Sequence, residues 1–394
     1  MKKLKVGINA RLLENGAMRG WNRYTVNLVS ALARTDQATV YLISENPVSP
    51  EYQSIFDAPE IAKNLNQITS GPMFYPKWQE QWLPRMARME KLDILHTPYH
   101  FGLPMFAPCV TVATLHDAID MLAERSWADT FNPRSILSRF YLWETRIRSD
   151  CIITVSEFSA KELTEYLGVK KSKIRIISEA ADPQFKPQTK AEIQTVLDRY
   201  KLNPKSYVFY VGGLEKRKNL TLLIEAIGLI SSESSTRVVI AGGSASDAEQ
   251  LKEQARVLNL SDRVQFLGKV CDSDLPALYA GAMGLVYPSK HEGFGLQLVE
   301  AMAVGCPILS SSSASLPEVA GESAAYFSPE NARELANLIL RLERDDDWSI
   351  SLAQRSKARG LQFCWEKTAN ETLSVYRDLL ATTYSYSDCA KTSD

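Results

Sequence analysis

From Tyr207 to Val304 the sequence alternates short apolar runs with stretches of helical period. The runs YVFYVGG, RVVIAGG, RVQFLGKV and MGLVYPS each close at glycine or at a Pro-Ser turn. Between them lie LTLLIEAIGLI, DAEQLKEQARVL and DLPALYAGA, whose apolar residues recur at helical spacing. Runs this short and this uniformly apolar predict strands buried on both faces. Strands joined through helices run parallel, so the pattern predicts an α/β sheet with helices on both faces. The first half repeats it: LKVGIN, a loop with Gly16 and Gly20, the helical WNRYTVNLVSALAR, then TVYLIS. Further strands are expected at LDILHT, VTVATL, CIITV and KIRII, and a chain of 394 residues has room for two such domains.

The stretch VYPSKHEGFGLQLVEAMAVGCP, residues 286–307, carries the chemistry. A strand ends, Gly293 and Gly295 bracket Phe294, and a helix begins at Leu296 and stops at Gly305. Glycines let another group approach the backbone, and a helix N-terminus offers unpaired amides to a phosphate or an oxyanion. Two carboxylates flank that place, Glu292 and Glu300. They should repel phosphate, unless the ligand also carries hydroxyls: carboxylates accept from diols while amides take the diphosphate. A nucleotide sugar has both. Alone, an acid-Gly-x-Gly is more often a glycine turn before a surface helix.

Other residues gather at the same kind of place. Gly212-Gly213 follows a strand and leads to Lys216, Arg217 and Lys218, fixed positive charge at a strand C-terminal end. In the first half Gly16 and Gly20, with Arg19 and Arg23, sit in a loop after a strand. Three of the four histidines, His96, His100 and His116, fall at strand ends, with Asp117 beside the last. Residues 77–90 form an amphipathic basic stretch (Trp78, Trp82, Met86, Met89 beside Lys77, Arg85, Arg88), expected to be one helix kinked at Pro84. Core packing is the ordinary use of such a helix, and a membrane surface or a lipid-linked acceptor the other. A second aromatic, arginine-rich helix is expected within 124–148.

Composition excludes several classes. Net charge is −1, with a mildly basic first half and a mildly acidic second, which gives no general affinity for nucleic acid. The six cysteines lack paired spacing, so neither a disulfide framework nor a metal site is expected. MKKLKVGINA has no apolar core of a signal peptide, and no run reaches membrane-spanning length. A cytoplasmic protein is the expectation, with a weak peripheral contact at the inner membrane face as the use left to the basic helices. No strand is followed by GxGxxG, which disfavours an NAD-linked oxidoreductase.

Jointly these motifs resemble family 4 glycosyltransferases of the GT-B fold, of the bacterial mannosyltransferase-like kind. The resemblance covers nearly the whole chain: GINARLL and GWNRYTVNL, LHTP, LHDAID, VSEFSAKEL, YVGGLEKRKN, FLGKV with DLPALYAGA, and HEGFGLQLVE. It implies two Rossmann-like domains facing a cleft, an acceptor domain over 1–185 and a donor domain over 200–365, and residues 183–205, rich in Pro, Lys and Gln, read as the linker between them around one short helix. A final helix, 366–381, would return to the first domain and leave a flexible tail at 382–394. It implies that Arg217 and Lys218 hold the donor diphosphate, that Glu292 contacts the sugar hydroxyls and that His116 lies near the anomeric centre. Gly212 and Gly213 would approach the donor. The amides of Gly293, Phe294, Gly295 and Leu296 would line sugar and phosphate, Glu300 would bind the ribose, and Phe266, Leu267, Gly268 and Lys269 would flank the base. Gly20, Trp21, Arg23, Tyr24, His96, His100 and Asp117 would lie on the acceptor side. Trp21-Asn22 and Gln297 depart from the family's usual glycine pair and proline.

The implied reaction is retaining and independent of metal and cofactor, moving a hexose to an acceptor hydroxyl. The expected donor is GDP-mannose, then UDP-glucose or another UDP-sugar, with a lipid-linked glycan among the acceptors. The rivals are a nucleotide-sugar epimerase, which turns over donor without acceptor, and an inactive scaffold that binds a partner. The intact Arg217, Lys218, Glu292 and Glu300 count against the scaffold.

Overall fold

A computed structural model describes residues 3–16, 20–118, 133–230, 232 and 234–391. They form two compact units, Met1–Glu179 together with Trp365–Asp394, and Ala180–Cys364.

The first unit holds a parallel sheet of seven strands: β1 (Leu4–Asn9), β2 (Ala38–Ser44), β3 (Leu65–Thr69), β4 (Ile94–Thr97), β5 (Val110–Thr114), β6 (Cys151–Thr154) and β7 (Ile174–Ile176). Their order is β3-β2-β1-β4-β5-β6-β7, and every pairing is parallel. The central strands β4, β5 and β6 are buried throughout, because helices cover both faces. The edge strand β3 has no buried position, with Leu65 and Ile68 half-buried and the rest exposed, and its thin apolar signal, LNQIT, drew no expectation.

The second unit repeats the plan with β8 (Tyr207–Val211), β9 (Arg237–Ala241), β10 (Val264–Gly268), β11 (Gly284–Tyr287), β12 (Ile308–Ser311) and β13 (Ala325–Phe327). The order is β10-β9-β8-β11-β12-β13, again all parallel. β12 (ILSS) and β13 (AYF) drew no expectation, the first with only two apolar residues and the second with only three residues in all.

Three segments differ from expectation. The proline- and lysine-rich stretch expected to end the first domain packs within the second unit. Phe185 is buried against the Tyr279 ring at 5.9 Å, and Arg199 and Tyr200 both bind the buried Asp274, at 2.7 and 2.8 Å. The stretch 77–90 is not one kinked helix: a π-helical turn at Trp78–Trp82 precedes the α-helix Leu83–Met89. Pro84 has no N–H to return to the preceding turn, and the widened turn absorbs that gap, as π-turns do. Within it Trp78 and Leu83 enter the core while Met89 stays 60% exposed, so the apolar stripe is only partly a core face. Third, the last helix runs from Trp365 to Lys391, past the expected stop at 381 and into the expected tail, where ATTYSYSDCAK holds neither glycine nor proline.

That helix belongs to the first unit because of its amphipathic face. Ala369, Thr372, Leu373 and Tyr376 are fully buried at helical spacing. The Tyr376 hydroxyl lies 2.6 Å from His96 Nδ1, and the opposite ring nitrogen lies 2.8 Å from the Thr114 hydroxyl. Thr368 donates to the Ser178 carbonyl at 2.9 Å. His96 is fully buried in this network, and burial, with His116 nearby, pulls its basicity down to about 3, so it is neutral. Replacing Tyr376 by Phe leaves that ring nitrogen unsatisfied in the core. The expected loss is about 1–3 kcal/mol in denaturant unfolding, and an unchanged midpoint would show that the network does not hold the helix.

Candidate functional site

In the second unit the chain builds β9 and β10 outward from β8, then returns to lay β11, β12 and β13 on its other side. Such a reversal sends helices to opposite faces and opens a crevice at the C-terminal ends of the two strands beside it, β8 and β11. The turn after β8 is Gly212-Gly213. Gly242, after β9, has φ +101°, and a Cβ there would stand 2.2 Å from the Gly212 carbonyl oxygen. Only glycine allows the two turns to touch. Gly242 in turn donates its amide to the Gly268 carbonyl at 2.7 Å, so three neighbouring strand ends are linked.

From Gly213 the chain enters a 3₁₀ turn, Lys216–Lys218, that Asn219 closes in the left-handed conformation. The Asn219 side chain donates to the carbonyls of Pro288 and Pro329, at 3.2 and 2.8 Å, and the Lys290 amide donates to the Arg217 carbonyl at 2.8 Å. The turn after β8 is thereby tied to the loop after β11, and the cations meet the acid between them. Lys218 Nζ donates to Glu292 Oε1 at 2.6 Å, and Arg217 Nη1 donates to Oε2 at 3.0 Å and to the His291 carbonyl at 3.0 Å. Ser289 Oγ donates to Oε1 at 2.6 Å. The Tyr287 hydroxyl stands 3.0 Å from that oxygen and 2.9 Å from Gln297 Oε1, and its one proton serves one of the two. Glu292 is only 7% exposed. Burial pushes its carboxyl upward, but Lys218 and Arg217 outweigh burial and hold it below the ordinary carboxylate range.

Gly295, at φ +91°, turns the chain into the helix Leu296–Val304, which has no side-chain cap. Its first amides lack intrahelical partners, the feature on which the expectation of anion binding rests. The Phe294 ring is buried against Phe363 at 6.0 Å, so Phe294 offers the site only backbone. Glu300, on the same helix and 2% exposed, accepts from the Tyr279 hydroxyl at 2.7 Å. Phe266, Leu267 and Gly268 lie half-buried on the edge strand β10, with Lys269 exposed beyond them, separated from β11 by β9 and β8.

The first unit has its own reversal between β1 and β4. Gly20 opens the helix Gly20–Arg34, with Trp21 and Arg23 half-buried and Tyr24 buried on its first turns. The Trp21 ring lies 4.9 Å from that of His100, and the Tyr24 hydroxyl lies 3.0 Å from the Thr114 hydroxyl. Tyr24 and His96 are fully enclosed, so their expected acceptor-side contact is replaced by core hydrogen bonding. Past β5, His116 is 6% exposed, with Nδ1 2.7 Å from Glu179 Oε1 and Nε2 3.2 Å from the Pro98 carbonyl oxygen. Asp117 is half-buried beside it. Arg19 lies outside the described residues.

Arg217, Lys218 and Glu292 are therefore brought together, and His96, His100 and His116 occupy neighbouring strand ends in the other unit. Ser289, Tyr287, Tyr279 and Glu179 were not singled out from the sequence. Ser289 and Tyr287 stand three and five positions before Glu292, and that closeness was a usable signal. Tyr279 reads as a core aromatic and Glu179 as a lone acid after a short strand, so neither carried one.

Residues 197–360 match the family described as glycosyl transferases group 1, and residues 18–185 match glycosyltransferase family 4. The chain is 33% identical over 238 residues to the O-antigen chain mannosyltransferase B of Escherichia coli, covering 60% of this chain and 62% of that protein. It is 30% identical over 283 residues to the serotype-specific mannosyltransferase WbdA of Escherichia coli, covering 69% of this chain and 34% of that protein. The match thus spans less than two thirds of either relative. Among solved structures, Anabaena Alr3699/HepE in complex with UDP and glucose superimposes with a TM-score of 0.74 at 18% identity, covering 95% of this chain and 100% of that one.

A carboxyl held low in the folded state contributes stability above its unfolded-state value and loses it as pH falls through the folded one. The Glu292 cluster is therefore intact at neutral pH and gives way in strong acid. Lys218→Met strips the buried partner and is expected to cost about 3–5 kcal/mol at neutral pH, with the deficit shrinking as the medium is acidified. Denaturant melts at neutral and acidic pH measure it, and an equal deficit at both would remove the ion pair as its cause.

Proposed function

The chain belongs to glycosyltransferase family 4 and has the two-domain GT-B fold, and from that premise we propose that it moves a hexose from a nucleotide sugar to an acceptor hydroxyl with retention of configuration. The observation that carries this reading is the Arg217–Glu292–Lys218 cluster at the reversal between β8 and β11. Here two cations, a buried acid and a helix N-terminus converge from separate elements. The proposed donor is GDP-mannose, by likeness to the Escherichia coli mannosyltransferases, with UDP-glucose or another UDP-sugar next.

The cluster suggests a division of labour. Lys218, its side chain 7% exposed, stays on Glu292 Oε1, while Arg217, 33% exposed, is the cation with room to turn to an incoming diphosphate. When it turns, Glu292 Oε2 loses its partner and becomes an acceptor for a sugar hydroxyl. Glu300, oriented by Tyr279, is the proposed acceptor for the ribose hydroxyls. In the proposed reaction the acceptor oxygen bonds to the anomeric carbon on the face the phosphate leaves. The carbon–oxygen bond to phosphate breaks, and the hydroxyl proton passes to the departing diphosphate. The products are a glycoside and a nucleoside diphosphate. Arg217, Lys218 and the helix amides supply the charge stabilisation that a divalent cation gives elsewhere, so neither metal nor cofactor is proposed.

The proposed acceptor is a glycan hydroxyl, with a lipid-linked glycan first among them, met by peripheral contact at the cytoplasmic face of a membrane. Phe140, Trp143 and Ile147 support that contact, exposed at 46, 45 and 43% and spaced along one helix. Among the described residues no helix is long and apolar enough to cross a membrane.

Calorimetry with GDP, UDP and ADP, with and without magnesium, tests the donor site. GDP is expected to bind without magnesium, and Arg217→Ala to weaken it about 10- to 100-fold, roughly 1.4–2.8 kcal/mol. Binding that requires magnesium, or that ignores the Arg217 change, would overturn the proposal.

A further inference from the structure

His116 was expected near the reacting centre, and its surroundings fix what chemistry it can perform. Both ring nitrogens face acceptors: Nδ1 lies 2.7 Å from a Glu179 carboxylate oxygen and Nε2 lies 3.2 Å from the Pro98 carbonyl oxygen. A carbonyl oxygen only accepts, and so does a carboxylate. A neutral ring protonated at Nδ1 would set its Nε2 lone pair against those of Pro98. A neutral ring protonated at Nε2 would set its Nδ1 lone pair against the carboxylate. With Glu179 ionised, only the doubly protonated ring satisfies both partners.

The frame around this pair is rigid at both ends. Ser159 Oγ donates to the His116 carbonyl at 2.9 Å, and Thr368 on the last helix donates to the carbonyl of Ser178, next to Glu179, at 2.9 Å. The edge of the Tyr24 ring packs against the imidazole at 4.7 Å, and His116 and Glu179 are each 6% exposed. Glu179 is the last residue of the first unit's N-terminal segment, where the chain leaves that unit for the second.

We propose that Glu179 is a positioning residue that holds His116 as a ring donating at both nitrogens, so that His116 serves as a fixed positive charge and not as a proton acceptor. This inference rests on the transferase reading for its catalytic meaning and deepens it. With the imidazole unable to take a proton, the hydroxyl proton in the proposed reaction goes to the departing phosphate. The groups facing the ring agree. Burial opposes its charge, but the Glu179 hydrogen bond and charge outweigh burial, the Pro98 carbonyl and Asp117 add to them, and the net shift is upward. His96, on the adjacent strand, is neutral and adds no opposing charge. Tyr24 stays protonated, since burial pushes its phenol far up. A histidine raised in this way stabilises the fold below its unfolded-state value, and the stabilisation is lost as pH rises through the folded value.

The test is nitrogen-15 NMR of the histidine rings in the full chain, assigned with His116→Asn, beside the pH dependence of transfer from GDP-mannose. In the wild type both His116 nitrogens are expected to be protonated at neutral pH, with the ring titrating above an ordinary imidazole. In Glu179→Gln the ring should titrate at or below the ordinary value. There kcat should fall about tenfold or more with KM for the donor little changed, and a limb should appear on which activity declines as pH rises. Glu179→Asp should restore ring protonation and part of kcat, and it carries the test if the glutamine variant does not fold. A wild-type ring that is neutral at pH 7, or a glutamine variant with the wild-type pH profile, overturns the proposal. NMR reads the ring without turnover. A doubly protonated ring in a chain that binds no nucleotide would therefore sink the transferase reading and leave the positioning role of Glu179 standing.

Discussion

A carboxylate removed from water is costly unless charge and hydrogen bonds replace the solvent, and Glu292 is where this protein meets that condition. Lys218, Arg217 and Ser289 donate to its two oxygens, and Tyr287 stands within hydrogen-bonding reach of one of them. Much of the second unit is arranged to make the meeting possible. The glycine turns after β8 and β9 let those strand ends nest, Asn219 accepts a left-handed backbone to aim the cations, and Gly295 turns the chain into the helix behind the acid. A side chain larger than hydrogen at Gly242 would push the β8 turn, and with it Lys218, out of register.

The two units use the same topological device for different electrostatic ends. In the second, the reversal between β8 and β11 concentrates cations, an acid and helix amides. In the first, the ends of β4 and β5 carry histidines whose ring nitrogens are already committed. His96 is held neutral between Tyr376 and Thr114, and His116 is held by Glu179 and Pro98. Two histidines at adjacent strand ends are thus shifted in opposite directions, because one has hydroxyl partners and the other a carboxylate.

The legible parts of the fold were those encoded within a few residues. Strands such as VTVAT and YVFYV are uniformly apolar because both faces are covered, and the stop at Gly305 is a local conformational matter. The strands β3, β12 and β13 were not legible: LNQIT and ILSS carry two apolar residues each and AYF spans only three residues, so none stands out as the apolar run that marked the others. Pro84 announced an irregularity, but whether the helix would kink or widen was settled by Trp78 and Leu83 finding a common core. The proline- and lysine-rich stretch after Ala180 read as a linker by composition, and Phe185 and the bonds to Asp274 made it part of the second unit.

The sequence by itself determined the class of fold, the strand ends at which the candidate ligand-binding groups collect, and the type of those groups, because periodicity and glycine placement act over one element at a time. Only the tertiary structure decided which groups meet and in what charge state. Glu292 lies 74 positions from Lys218, and Glu179 lies 63 from His116. Nothing local to either pair predicts the contact. Whether a buried histidine is neutral or charged depends on whether a hydroxyl or a carboxylate is folded against it.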